Sequence, residues 1–417
     1  MKILHLADIH ARDKDITEIK RCLHHIVAIA HKEQPDLIVN AGDTFDSADI
    51  KADSQSAKLI FRIFKDLADI APVAVLIGTP SHDGQTAETL RYIKAEYPVW
   101  VSTRPEQLYL CDGDLNTDPS KLSAPQVPIE AVVSMCPQPT KQFFNTSSDI
   151  KGSDTEIAQA MSGIFAGFAA QAEAYTCPHI LVGHFQVGGA MVSETQIITG
   201  IDIEISKDQM SLGNFDLVCL GHLHLTQKIE PNIFYSGSIT RLNWGELEDK
   251  GFYIHEIHDD MGNPNKRYWS IKSRFIETPS RKLLKMSEDL TEDSAFEELE
   301  TILHFADGPA PETKDAYMRV ELKVYQDEAQ KVNAEKIKNF FISGGAKEVD
   351  VRLIRVPREN IRSQNILKLT TLREKLIEQA ALKKETVPES ILLKADLLEA
   401  ETNERIVANI ASCSAIL

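Results

Sequence analysis

Five short apolar runs, each ending in a cluster of Asp, His or Gly, restrict what this chain can fold into more than any other feature. They read KILHLADIH from Lys2, DLIVNAGD from Asp36, VAVLIGTPSHD from Val73, HILVGHF from His179 and DLVCLGHLH from Asp216. Each is rich in Ile, Val and Leu, too short for a helix and without polar–apolar alternation. That is the pattern of strands buried on both faces. Between the runs, apolar spacing predicts helices over residues 17–32, 54–67, 86–96 and 155–174. Ser54 and Thr155 serve as helix starts, and Pro72 and Pro98 end the second and third helices. Strands alternating with helices define an α/β layered domain. Such domains bind ligands at the carboxyl ends of their strands, where all five polar clusters fall.

Residues 112–153 are rich in Pro, Ser, Asp and Thr and read as a long excursion with one strand near 129–135. After Gly251 the polar signatures stop. AYMRVELKVY, AEKIKNFFISGGA and EVDVRLIRV then predict a strand, a helix closed by Gly344-Gly345, and a strand. From Glu359 onward the pattern is helical. The expected organisation is therefore a catalytic α/β domain over 1–265, a small α+β domain over 266–357 and a helical tail over 358–417.

The net charge of −17 repels a polyanion at long range, so a nucleic-acid role requires local positive charge, bound metal or a basic partner. Residues 352–384 supply such a region, with nine Lys/Arg against three Asp/Glu. The six cysteines show no Cys-x-x-Cys spacing, which argues against a zinc ribbon or a disulfide framework and fits a reducing compartment. No apolar stretch approaches the length of a membrane span. Asp8 and two histidines interrupt what would be the apolar part of a signal peptide, so the expected location is cytoplasmic.

The strand-end residues are Asp8 and His10, then Asp43, then His82 with Asp83, then His184, then His222 and His224. One strand-end histidine is usually structural, but four histidine sites and two aspartate sites at one edge of a sheet call for a common cause. Mixed carboxylate and imidazole donors suit Mn, Fe or Zn. Asp-x-His and His-x-His each offer two donors on one turn, and Asp43 has two oxygens with which to bridge two ions. Two-metal sites of this kind hold ions ~3.5–4 Å apart and clamp both oxygens of a phosphoryl transfer.

In order and spacing, DIH, GDTFD, GTPSHD, GH and GHLH resemble the five motifs of the calcineurin-like metallophosphoesterases. Within that superfamily HLADIH, LIVNAGDTFDSA and FYSGSITRLNWGELEDKGFY are similar to the SbcD-type DNA repair nucleases. The resemblance covers residues 1–257, and the small αβ unit matches that family's DNA-capping domain in position and pattern. It implies a layered sandwich of two mixed β-sheets flanked by helices. It also implies two divalent ions, Mn ahead of Mg, Fe or Zn. One ion is implied at Asp8, His10, Asp43 and His224, the other at Asp43, Ser81, His184 and His222. His82 is implied as the acid for the leaving 3′ oxygen, oriented by the carboxylate of Asp46, with water activated at the metals as nucleophile. Arg241 is a candidate for a substrate phosphate, and Phe185 and Gln186 for the wall of the cleft.

The implied activities are 3′-to-5′ exonuclease and single-strand endonuclease cleavage of DNA ends, hairpins or single strands in repair. The implied partners are a second copy, meeting through the helices over 54–67 and 86–96, and an SbcC-type, SMC-like ATPase. The basic stretch suits either DNA phosphates or ATPase docking through a helix over 366–382. One departure stands out: the family usually reads Gly-Asn-His-Asp or Gly-Asn-His-Glu, where this chain has Ser81 before His82. A serine hydroxyl is the poorer donor, so the second ion is expected to bind more weakly, unless Pro80 presents the Thr79 carbonyl in compensation. Two other readings remain open. One is a phosphodiesterase for a small nucleotide or lipid-linked diphosphate; the other is a non-catalytic DNA-end scaffold.

Overall fold

In the computed structural model the first strand, β1 (Lys2–Leu6), shows why alternation is invisible in the sequence. Ile3 and the following Ala7 face one apolar layer, while Leu4 and Leu6 face another, and all four are fully buried. With both faces dry, a period of two leaves no polar trace. The described residues are 1–124, 126–140, 150–193, 196, 203–260, 268–292, 294–305, 308–358, 368–382 and 385–414.

Strands are numbered in chain order. The first sheet combines β1 with β2 (Leu37–Asn40), β3 (Val73–Leu76), β4 (Val99–Ser102), β12 (Gly251–Asp260) and β13 (Tyr268–Glu277). Their order is β13-β12-β1-β2-β3-β4, parallel from β1 to β4 and antiparallel at β12 and β13. The second sheet contains β5 (Glu106–Cys111), β6 (Asp114–Asn116), β7 (Ala131–Cys136), β8 (His179–His184), β9 (Leu217–Gly221), β10 (Gln227–Glu230) and β11 (Ile233–Tyr235). Its order is β10-β11-β9-β8-β7-β5-β6, again mixed.

The two sheets share one core, in which Leu37, Val39 and Leu76 meet Val133, Ile180 and Val182. Helices α1 (Ile16–Glu33) and α2 (Gln55–Ala68) cover the outer face of the first sheet, and the helix Ile150–Ala172 covers that of the second. Each fully buried aliphatic or aromatic side chain adds ~1.5–3 kcal/mol, so the three apolar layers fix the strand ends firmly. The Ser54 hydroxyl caps α2 by accepting from the Ala57 amide at 3.1 Å.

The apolar face of α2, with Leu59, Ile60, Ile63, Phe64 and Leu67, packs within this core together with Leu90. The face offered above as a dimer contact is therefore used inside the chain. The helix expected over 86–96 is also shorter: α-helix Gln85–Glu88 passes into a 3-10 turn over Thr89–Tyr92 and stops. The amides of Glu96 and Tyr97 instead bond the Asp69 carboxylate and the Ala68 carbonyl at the end of α2, which draws the chain out of helical geometry.

β13 pairs with β12 along ten residues, so a segment expected at the start of the second domain extends the first sheet. Downstream lie β14 (Leu283–Asp289), β15 (Tyr317–Tyr325) and β16 (Glu348–Val356), a three-stranded sheet in that order, with helices Ala295–Phe305 and Ala334–Ser343. The chain divides into two compact units. One comprises Met1–Glu288, Glu297–Glu321 and Ala334–Arg352; the other comprises Asp289–Phe296, Leu322–Asn333 and Leu353–Leu417. The tail of the second unit holds helices Leu372–Leu382 and Glu389–Ser414, separated around Pro388. Among the described residues, no helix is long and apolar enough to cross a membrane.

Candidate metal centre

The loops that follow β1, β2, β3, β8 and β9 converge at one edge of the sandwich. Four of their polar residues lie in the left-handed backbone region: Asp8 (φ 50°), His10 (φ 46°), Asp43 (φ 51°) and His222 (φ 91°). Non-glycine residues avoid that region, at ~1–3 kcal/mol of strain each, and keep it only where surroundings over-determine it. Here they do. The amides of Asp8 and His10 donate to the carbonyls of Gly42 and Asp43, each at 3.0 Å, zipping the first loop to the second. The Asp8 carboxylate accepts from the His222 amide at 3.0 Å, joining the first sheet to the second. Gly42, at φ 98°, has no room for a side chain, because a Cβ there would overlap His184 Nδ1.

Three overlapping donor groups result: Asp8, His10 and His224; His10, Asp43 and His82; and Asp43, His184 and His222. Within each group the ligand atoms lie within 4.8 Å of one another. The His10 and His224 Nε2 atoms are 3.1 Å apart, close to the ~3.0 Å expected of cis donors on one ion with ~2.1 Å bonds. Asp43 belongs to two groups, which suits a bridging carboxylate. A buried set of oxygens and imidazole nitrogens fits divalent transition ions.

Burial and neighbouring charge shift the protonation of these donors in opposite directions. Burial opposes a charge on His184, but the Asp43 carboxylate at 3.2 Å and then Asp8 outweigh it and raise the ring to about 9. Burial, reinforced by the Asp43 charge, lifts Asp8 to about 6. Burial also resists ionisation of Asp43, yet His184 and His10 hold its carboxyl well below the usual range. Burial lowers His10 to about 4, leaving it neutral and ready to coordinate.

Metal ligands must be deprotonated, so loading at neutral pH should expel the His184 proton. Apparent affinity should rise about tenfold per pH unit up to about 9, and more steeply below about 6, where Asp8 also gives up a proton. Calorimetry in buffers of differing ionisation heat checks this; loading without proton release at pH 7 would refute it.

The geometry departs from the expected roles of Ser81, Asp46, Arg241 and Phe185. Ser81 is exposed and its carbonyl accepts from the Ala48 amide, whereas Thr79 occupies the centre. The Thr79 amide and hydroxyl donate to Asp43 at 2.6 and 3.1 Å, and the hydroxyl is 3.3 Å from His184 Nε2. The Thr79 carbonyl is not the compensating donor, since it accepts from His82 and Asp83. Register counted from Gly78 thus sets Thr79 against Asp43 and His184, with Pro80 and Ser81 as an extra turn before His82. Thr79→Ala should weaken one of two Mn sites about tenfold in a Mn titration, while Ser81→Ala should leave both unchanged. Weakening by Ser81→Ala alone would restore the original assignment.

Asp46 does not orient His82 through its carboxylate. His82 Nδ1–H donates to the Asp46 main-chain carbonyl at 2.9 Å, while the Asp46 carboxylate pairs with Arg12 at 3.1 Å and lies 3.8 Å behind His10 Nδ1. Arg241 does not face a substrate, because all five of its N–H donors are satisfied. They reach the carbonyls of Glu246, Leu247, Glu248 and Arg281 and the Ser280 hydroxyl. Phe185 is buried in the outer core of the second sheet rather than in a cleft.

Two supporting roles were not anticipated. Asp83 accepts from the amides of Thr44, Phe45 and Gly78 and so ties the loop after β3 to that after β2. Gln196 clamps the last motif, donating to the His222 carbonyl at 2.7 Å and accepting from the His224 amide at 2.9 Å. Only the Asp83 position, beside His82, had a sequence signal. A further buried group, His5, His255 and Cys219, also has donor atoms within 4.8 Å. Its imidazoles bond each other at 3.3 Å, and their remaining nitrogens bond the Leu220 carbonyl and the Ser273 hydroxyl. Burial pushes the thiol far up, so this closed network reads as a satisfied core.

The calcineurin-like phosphoesterase family profile matches residues 1–225, more than half of the chain, and the chain belongs to that family. It is a hydrolase of phosphoester bonds from a family that binds divalent metals. Its relatives include the SbcD polypeptide of the nuclease SbcCD from Staphylococcus saprophyticus subsp. saprophyticus, 28% identical over 321 residues, or 73% of this chain and 77% of the relative. The polypeptide of the same name from Staphylococcus epidermidis is 28% identical over 270 residues, 63% of this chain and 67% of its own length.

Proposed function

We propose that the protein is a metal-dependent DNA nuclease of the SbcD type, acting as a 3′-to-5′ exonuclease and single-strand endonuclease in DNA end processing. The observation that carries this reading is the convergence of Asp8, His10, Asp43, His184, His222 and His224 from both sheets. In this reading one ion is held by Asp8, His10, Asp43 and His224. The other is held by Asp43, His184 and His222, with the Thr79 hydroxyl beside it. Two divalent ions, Mn first among them, neutralise phosphoryl charge and supply a nucleophile from water at neutral pH. His82, with Nδ1–H fixed on the Asp46 carbonyl, offers Nε2 for the leaving 3′ oxygen.

A cleft of about 860 Å³ supports a polymeric substrate. It is lined by the cations Arg12, Lys14, Arg281, Lys285, Arg319 and Lys338 and by the carboxylates Asp15, Glu321, Glu348 and Asp350, most of which pair with those cations. Trp244 lines it too, its ring centroid 4.5 Å from the Arg319 guanidinium. Arg12 also holds Asp46 beside His10, which connects this cleft to the centre. Cationic side chains favour phosphates through counterion release, and an arginine–aromatic pair suits a base or sugar.

The tail helices Leu372–Leu382 and Glu389–Ser414 are joined by Arg373, which pairs with Glu389 and Asp396 at 2.7 Å each. They leave Leu372, Ile377, Ile391, Leu393, Leu397 and Leu398 exposed, an apolar surface suited to an SbcC-type ATPase. A homodimer belongs to the same reading, through surfaces other than the buried face of α2. The scaffold alternative was motivated by Ser81, and the contacts of Thr79 with Asp43 and His184 favour the catalytic reading over it.

Digestion of hairpin, single-strand and duplex DNA with Mn or Mg tests the proposal. Mn-dependent cleavage supports it. Turnover of nucleotide phosphodiesters with intact DNA would replace it with the small-substrate reading.

A further inference from the structure

We propose that Glu246 is a positioning residue, the carboxylate that accepts from His224 Nδ1–H and so aims His224 Nε2 at an ion. This inference rests on the reading of His224 as a ligand. Nε2 of that ring already faces His10 Nε2, so the nitrogen left over is Nδ1. It is buried and, among the described residues, has no hydrogen-bond partner. Glu246 Oε1 lies 4.0 Å from it.

Glu246 is itself fully buried and held from several sides. The Leu242 amide donates to its Oε2 at 3.0 Å and the Asn243 side chain to its Oε1 at 3.1 Å. The Lys250 ammonium, also fully buried, lies 2.9 Å from Oε2. Lys250 further donates to the His224 carbonyl at 3.2 Å and to Glu248 at 2.8 Å, so one cation ties the carboxylate to the histidine's own main chain. A buried ion pair is weak evidence for stability, because desolvation offsets its attraction. A role in fixing His224 gives this pair a reason to persist.

The chemistry of coordination requires such an acceptor. An imidazole coordinates an ion in its neutral form. A neutral ring that presents its Nε2 lone pair to an ion must carry its proton on Nδ1. Ligand imidazoles commonly pass that second N–H to a carboxylate or carbonyl, which fixes the tautomer and the ring angle. Two other rings follow this rule or approach it: His184 Nδ1 bonds the Ala41 carbonyl at 2.7 Å, and His10 Nδ1 faces Asp46 at 3.8 Å. For His224 the corresponding group is Glu246. Closing from 4.0 Å to the ~2.9 Å of an N–H···O bond is a small side-chain movement.

The test compares two full-length double variants that both remove the buried cation, so neither leaves a charge unpaired at position 246, and the other partner of Lys250, Glu248, is partly exposed to water in both. Glu246→Met/Lys250→Met has no acceptor at position 246, whereas Glu246→Gln/Lys250→Met retains a carbonyl. Mn titration of the metal-free proteins should show the Met/Met variant about 10–100-fold weaker at one of two sites, with much of the loss recovered in the Gln/Met variant. In the Co-loaded protein, the exchangeable, hyperfine-shifted Nδ1–H resonance of His224 should exchange faster in the Met/Met variant. Equal Mn affinity in wild type and both variants, with that resonance unmoved, overturns the proposal. Should the Met/Met variant fail to fold, the resonance in the Gln/Met variant decides: a shift supports the contact and an identical position overturns it. His224→Ala separates the two levels of inference. If it leaves Mn affinity unchanged, the ligand reading itself fails; if it weakens Mn while the Met/Met variant does not, only the role of Glu246 fails.

Discussion

Asp43→Asn is expected to reduce DNA hydrolysis by about 10⁴-fold or more, ~5.5 kcal/mol of transition-state stabilisation, and to leave at most one tightly held ion. Asp43 is common to two donor groups and sits among His184 at 3.2 Å, His10 at 3.8 Å and Thr79 at 2.6 Å. An asparagine keeps the shape and the left-handed backbone but has one oxygen in place of two, so it cannot bridge. The fold should survive. Removing one member of a buried ion pair usually costs ~3–5 kcal/mol, but His184 can shed its proton once Asp43 no longer holds it, and that limits the penalty. Metal content by mass spectrometry, together with a digestion rate, checks the prediction. Two retained ions with a rate within tenfold of wild type would remove Asp43 from the bridging position.

The contrast between Asp43 and Thr79 shows what a sequence can and cannot reveal here. Strand-end donors are legible because DIH and GHLH carry them at fixed spacing on one turn, and the apolar runs before them announce the strands. The family profile over residues 1–225 agrees with the fold read from those runs. Thr79 was hidden because GTPSHD can be aligned from either end. Counting back from His82 selects Ser81, while counting forward from Gly78 selects Thr79, and in the packed loop it is Thr79 that meets Asp43 and His184.

What lies behind the donors was less legible still. His184 is backed by a main-chain carbonyl, which has no residue signature. Glu246 reaches His224 only because the loop before β12 folds onto the last motif around buried Lys250. Arg241 misled for the opposite reason. An arginine near a phosphoesterase motif suggests a phosphate, yet three of its donors hold that same loop together and the other two tie it to Ser280 and Arg281. Length of helix was misjudged where tertiary bonds from Glu96 and Tyr97 to the end of α2 overrode local pattern.

His82→Ala should separate metal binding from proton transfer. The ring stands at the edge of the centre, 4.7 Å from His10 between centroids, with Nδ1–H committed to the Asp46 carbonyl. A carbonyl only accepts, so the tautomer is fixed and any proton delivered to a leaving group must come from Nε2. Loss of a positioned acid typically lowers the rate by ~10²–10⁴-fold, and that is the expected effect on DNA, with both ions retained. Leaving-group dependence gives the sharper check. A phosphodiester that releases nitrophenolate needs no proton, so His82→Ala should hydrolyse it within about tenfold of wild type. An equal loss on DNA and on the nitrophenyl ester, with both ions bound, would mean that His82 positions the phosphate instead of protonating the departing oxygen.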